Sequence, residues 1–104
     1  MAALLSLEEA KDHLYVVDSV YDNEIERKVE EASETIVDRC NSTAWWRAIT
    51  ATWTVDTVPG SVKSAIKLLL GHLWKHRGDN MAPDKDLWDA VDRMIALKKE
   101  PVIA

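Results

Sequence analysis

The sequence predicts an all-α fold: a small four-helix domain with a long extended, partly strand-like loop between the second and third helices. Three observations carry this reading. Four segments repeat apolar residues at the spacing that gathers them on one helix face. Their ends carry residues that start or stop helices, such as Ser6, Pro59 and Gly78. Only one run, Ile49 to Asp56, alternates apolar and polar residues with the period of a strand. A chain of 104 residues suits one domain, and 47% hydrophobic with 30% charged residues excludes a wholly disordered chain.

The first helix is expected over about residues 6–14. Ser6 and Glu9 have the spacing of a capping box, in which each side chain accepts a backbone N–H left free at the helix start. Leu7, Ala10, Lys11 and Leu14 follow at helical spacing. Tyr15 to Val20 is rich in β-branched residues and reads as a connector that could pack on the core, with Ser19 or Asp22 capping the next helix.

The second helix is expected over 23–40, with Ile25, Val29, Ala32, Ile36 and Cys40 on one face. On the opposite side Glu26, Glu30, Glu34 and Asp38 succeed one another at i,i+4. Each like-charge pair costs an isolated helix about 0.2–0.5 kcal/mol, so the stripe does not stabilise the helix that carries it. A bare acidic run offers neither the burial that shifts a carboxyl pKa nor oxygens converging from other elements. It therefore reads as a solvated or partner-facing surface rather than a catalytic or metal site.

Residues 41–58 form the expected loop. Trp45, Trp46 and Arg47 lead into Ile49, Ala51, Trp53 and Val55, which alternate with polar residues. No Asn-Gly or Asp-Gly turn supplies a hairpin partner. A lone strand would leave backbone groups open to pairing with another chain. The other option is an extended loop laid over the helices, with Trp53 and Val55 plugging the core.

Pro59 opens the third helix, expected over 59–77, because its missing N–H would be unpaired there anyway. Val62, Ala65, Ile66, Leu69, Leu73 and His76 make it the central core helix, with Leu70 at the margin. Lys63, Lys67 and Lys75 fall on the far side together with Gly71. A glycine in an exposed helix interior costs about 1 kcal/mol against alanine, so Gly71 is read as a point of close approach by another element. Gly78 is read as the C-cap. The fourth helix is expected over 84–98, with Leu87, Val91, Met94 and Ile95 inward and Trp88 beside them; Pro101 to Ala104 form an apolar tail.

The net charge of -5 is unevenly placed: residues 1–40 carry eleven acidic and four basic side chains. That disfavours a protein that reads DNA, which needs concentrated positive charge. No apolar run is long enough to span a bilayer, Met1 to Leu5 does not make a secretory signal, and Cys40 alone makes no internal disulfide. His72 and His76 have zinc-ligand spacing, but no adjacent glutamate or third ligand, and read as packed or capping histidines. No Gly-rich phosphate loop, Gly-x-Ser-x-Gly or Cys-x-x-Cys is present. No catalytic, metal or cofactor-binding residue is expected, and an enzyme is not supported.

The segment Leu5-x-Leu7-Glu8-Glu9-Ala10-Lys11-x-His13-Leu14, followed by Asp22-x-x-Ile25-Glu26, resembles the start of tailed-bacteriophage head-tail connector (adaptor, head-completion) proteins. Trp53-x-Val55, then Val58-Pro59-x-x-Val62-Lys63-x-Ala65-Ile66-x-Leu68-Leu69-Leu70-Gly71-His72-Leu73-Trp74-x-x-Arg77, is similar to that family's core helix. The C-terminal part, Met94 to Lys99, departs from the family pattern, and nothing is carried over there. The resemblance implies one connector-like domain over 1–104 and a structural virion protein without catalysis or cofactor. It implies a homo-oligomeric, dodecameric ring between the portal protein and a tail-side completion or stopper protein. DNA would pass through the channel for packaging, retention and ejection without specific binding. The location would be the virion, after assembly in the host bacterial cytoplasm, with no membrane involved.

Within that frame Trp45, Trp46, Arg47, Ile49, Trp53, Val55, Lys63, Lys67 and Lys75 are candidates for an assembly or portal interface. Glu26, Glu30, Glu34 and Asp38 are candidates for a channel-facing or inter-subunit stripe. Two other readings stay open. A DNA-binding packaging protein such as a terminase small subunit would need a helix-turn-helix using Lys63, Lys67, Lys75 and Arg77. The other is a monomeric helical interaction domain.

Overall fold

The third helix is the hub on which the others pack. The structure, a computed structural model, describes residues 3–40, 51–79 and 81–96. Among these it forms four helices and no strand: α1 (Leu7–Leu14), α2 (Asp22–Cys40), α3 (Gly60–Lys75) and α4 (Lys85–Ile95). α2, α4 and α1 each pack on α3, and α1 also packs on α2. The all-α class predicted from the sequence is the one observed.

The predicted capping box starts α1. Ser6 Oγ accepts the Glu9 N–H at 3.1 Å, and Glu9 Oε1 accepts the Ser6 N–H at 3.3 Å. Tyr15 ends the helix in the left-handed region, φ 58°, donating its N–H to Asp12 O, while the Val16 N–H reaches Lys11 O at 3.0 Å. The apolar face of α2 is buried as its spacing requires, with Ile25, Val29, Ala32, Ile36 and Cys40 joined by Val37 and Ser33. On α3, Val62, Ala65, Ile66, Leu69 and Leu70 are buried, so Leu70 belongs to the core rather than its margin. Asp84 caps α4 by accepting the Leu87 N–H at 2.9 Å, and Val91 and Ile95 fill the space against α3.

Two leucines ahead of α1 also belong to the core. Leu4 and Leu5 are each 3% exposed, and the Leu4 N–H donates to Ser33 Oγ at 3.1 Å. Ser33 is the buried polar residue of the described core, and this one bond serves both groups.

Four expectations are corrected. The strand is absent where the structure describes its residues: 51–56 hold turns and irregular chain, and Ile49 lies outside the described residues. Thr54, one of the alternating polar residues, bonds the backbone locally instead of joining a ladder. Thr54 and Thr57 exchange bonds through their hydroxyls and backbone N–H groups, and the Val58 N–H reaches Thr54 O at 2.9 Å, making a turn that leads into α3. Gly78 is not a left-handed cap, for no glycine has positive φ; α3 stops at Lys75, with the His76 N–H bonded to His72 O. Met94 is 37% exposed rather than core. Within Tyr15–Val20 the side chains of Tyr15, Val17 and Val20 point to solvent instead of packing.

Gly71 does face another element, the His13 ring of α1. A Cβ built there would sit 3.5 Å from His13 Nε2, an ordinary contact, so the approach does not require glycine. Gly71→Ala is therefore expected to raise stability by about 0.5–1 kcal/mol, the helix-interior cost of glycine, in a denaturant titration. A loss of stability would mean that α1 lies closer to α3 than described.

Candidate assembly surfaces

The acidic stripe stands on the solvent side of α2, with Glu26, Glu30, Glu34 and Asp38 all exposed. Glu26 and Glu30 also border a shallow groove of about 180 Å³ whose apolar lining is Ala3, Leu5, Leu7 and Val29. No group of three or more His, Cys, Asp or Glu among the described residues could hold a metal ion.

The basic side of α3 is partly spent inside the chain. Lys63 Nζ donates to Glu9 Oε2 at 2.9 Å, so the residue that closes the capping box also ties α1 to α3. The Lys63 ammonium is the main reason the Glu9 carboxyl lies below its ordinary 4.5, against the opposing effect of partial burial and with help from the Ser6 N–H. A carboxylate with a lowered folded-state pKa stabilises the fold above its unfolded value, and that contribution is lost as pH falls through the folded value. Glu9→Gln should therefore cost about 0.5–1 kcal/mol near neutrality, as exposed ion pairs do. The gap between mutant and parent melting curves should close below pH 4.5. A gap independent of pH would remove the ion pair as its cause.

Lys67 and Lys75 remain on the surface of α3 and form no ion pair among the described residues. With Lys63 engaged and α1 lying across this side, α3 does not present the continuous basic face a DNA-recognition helix needs. Trp53 is half-buried against the core and Val55 is half-buried in the turn before α3. Trp45, Trp46, Arg47 and Ile49 lie outside the described residues.

Two arginines pin the helix ends through contacts with aromatic rings. Arg39 at the end of α2 lies 4.4 Å over the Trp88 ring and grips Asp92 with two bonds of 2.7 and 3.0 Å, which fastens α4. At the other end of the bundle Arg77 lies 4.0 Å from the Trp74 ring, and Tyr21 meets Trp74 edge-on at 5.6 Å. The histidines brace the turn after α3: His72 Nε2 bonds the Met81 carbonyl oxygen at 2.8 Å, and His76 Nδ1 lies 3.3 Å from Asp79. The Met81 N–H, then His76, hold the Asp79 carboxyl below its ordinary range.

The surface that sequence reasoning missed is the α1–α2 loop. Tyr15, Val17 and Val20 are 92%, 96% and 77% exposed. A left-handed backbone costs an L-residue with a side chain about 1–2 kcal/mol, and the solvent-facing Tyr15 ring offsets none of it by packing. Apolar side chains held out in this way mark a contact surface more often than a fold requirement. Nothing in the local pattern separates this run from a buried one.

A family model described as phage gp6-like head-tail connector protein matches residues 5–95, a span that takes in all four helices. No curated protein and no solved structure matches the chain.

Proposed function

This chain belongs to the phage gp6-like head-tail connector family, and from that membership we propose that its copies close into a dodecameric ring between the portal and the tail-side proteins of a tailed phage. It is a structural component of the head–tail junction of the virion, associated with portal and tail proteins. The observation that carries the proposal is the span of the match, which runs from the capping segment before α1 to the end of α4.

The ring extends the channel through which DNA is packaged, retained and ejected, and it performs no chemistry. The exposed stripe Glu26, Glu30, Glu34 and Asp38 supports this reading, because carboxylates along a channel wall repel phosphates and limit sticking. Trp45, Trp46, Arg47, Ile49, Trp53 and Val55 serve contacts with the portal or a neighbouring copy, as do Lys67 and Lys75. Lys63 contributes there only beyond its bond to Glu9.

Coexpression with the portal protein of the same phage, followed by electron microscopy, tests the proposal. The expected result is a ring of this chain seated on the portal. A chain that stays monomeric with the portal present overturns it. Where the ring forms, replacing Glu26, Glu30 and Glu34 together with lysine should leave DNA stalled in the channel, read as filled heads that fail to eject. Normal ejection would put the stripe on an outer or inter-subunit face.

A further inference from the structure

The groove beside the acidic stripe lies between the segment that leads into α1 and the first half of α2. Leu5 and Val29, both buried, form its floor, and the half-buried Ala3 and Leu7 form its sides. Its volume of about 180 Å³ suits one or two aliphatic side chains. The charged residues that line it are Glu26 and Glu30, both exposed. Neither carboxylate makes an ion pair or a side-chain hydrogen bond among the described residues. The site is thus apolar within and negative along one edge. It fits an extended segment in which an ammonium precedes aliphatic side chains.

The chain carries such a segment after α4. Leu97-Lys98-Lys99-Glu100-Pro101-Val102-Ile103 follows the last described residue. Pro101 biases Glu100 toward extended backbone. Alternate side chains of an extended chain share a face, so Lys99, Pro101 and Ile103 go together and Glu100 falls on the other face.

The course of α4 decides whose groove this segment meets. Residues 81–83, just ahead of α4, border Lys28 and Glu31 of α2, whereas Asp92 near its end meets Arg39. α4 therefore runs parallel to α2 and leaves the bundle at the C-terminal end of α2, away from the groove. At the helical rise per residue, Glu30 lies about 14 Å along α2 from Arg39, and Ala96 about 6 Å beyond Asp92. Lys99 is at most about 11 Å of chain from Ala96, and it must first reverse direction. It falls short of the two carboxylates of its own chain.

We infer that the segment after α4 of one copy lies in the groove of the next copy, with Pro101 and Ile103 against Ala3 and Leu7 and the Lys99 ammonium on Glu26 and Glu30. The inference rests on the ring proposed above and names its subunit contact. Two different patches meet, so the contact passes from copy to copy and can close into a ring. The apolar contact supplies most of the affinity, and the exposed charges set its register. One ammonium meets two carboxylates, so the stripe stays negative toward DNA.

A peptide spanning residues 97–103 is the probe, titrated into the isotopically labelled Ile103→Asp chain, whose own segment no longer competes. Shifts confined to the amides of residues 3–7 and 26–30 are expected in NMR spectra, with none from a peptide that itself carries Ile103→Asp. In the unmutated chain, diluted to monomer, these amides should stand at their unbound positions. With the portal present, Ile103→Asp should give no ring by native mass measurement, while its melting curve matches the parent. Glu30→Lys should raise the concentration at which half the rings form by about two- to fivefold, the worth of an exposed ion pair. Lys99→Glu in the same chain should restore it.

Amides that stay in place, or shifts elsewhere on the bundle, overturn the inference. A dilute unmutated chain already at the peptide-bound positions also overturns it, and gives the groove to the segment of the same chain. Rings formed by Ile103→Asp as readily as by the parent overturn it and leave the ring reading standing. Ile103→Asp rings that form but come away from the portal overturn it too, and assign the segment to the portal. A parent chain that never forms a ring removes both readings, whatever the peptide does.

Discussion

Ile66→Ala is expected to lower the stability of the chain by about 2–5 kcal/mol, the range for deleting a buried branched aliphatic side chain. Ile66 is fully buried on α3, the helix on which α1, α2 and α4 all pack, so the hole it leaves is walled by several elements and cannot easily collapse. Natural domains are stable by about 5–15 kcal/mol, and one of this length belongs toward the lower end. The variant should therefore show a much lower denaturant midpoint with an unchanged slope, and a measurable unfolded fraction without denaturant. Ile66→Val, which removes one methyl group, should cost only about 0.5–1.5 kcal/mol. A loss below about 1 kcal/mol for Ile66→Ala would mean that α3 is not the centre of the core.

Ser33→Ala is the second large effect, and its cause is polar. The Ser33 hydroxyl accepts the Leu4 N–H at 3.1 Å in a place that water does not reach. Alanine would leave that N–H buried without an acceptor, at a cost of about 1–3 kcal/mol. For a domain near this size that is a fall in melting temperature of about 4–8 °C per kcal/mol. Ser64→Ala on the exposed side of α3 is the matched control and should change stability by less than about 0.5 kcal/mol. Equal effects at the two serines would show that the Leu4 segment is not anchored as described.

The contrast between these residues shows what the sequence made legible. Ile66 could be assigned to the core because it repeats with Val62, Ala65 and Leu69 at helical spacing, and helical spacing is a local property. The ends of α1 and α4 were legible for the same reason, since a capping residue acts within one turn. Ser33 offered no such signal: its partner is 29 residues away, and its place on the edge of the α2 apolar face is that of any tolerated serine.

The ion pair of Lys63 was out of reach of local pattern in a parallel way: spacing puts Lys63 on the far side of α3, and its partner Glu9 lies 54 residues distant. Over residues 51–56 the alternation is present, but the chain turns there, because the Thr54 and Thr57 hydroxyls offer the backbone another set of bonds. Of the candidate surfaces, the acidic stripe on α2 could be found from spacing alone. The α1–α2 loop could not, since Tyr-Val-Val is written the same way whether it faces a core or solvent. Its positive φ and its exposure belong to the folded chain.

The bond between Leu4 and Ser33 also bears on how the protein is made. Leu4 and Leu5 leave the ribosome before α2, whose surface covers them, and the hub of the bundle, α3, comes later still. Two adjacent leucines thus wait uncovered until α2 and α3 have followed them. Any product cut short before α3 keeps them bare, beside an apolar face of α2 that has lost its cover. Chains that have completed α2 and α3 bury this pair, and those cut short before α3 carry it exposed, as a mark by which host proteases and chaperones can tell unfinished subunits from those ready to assemble.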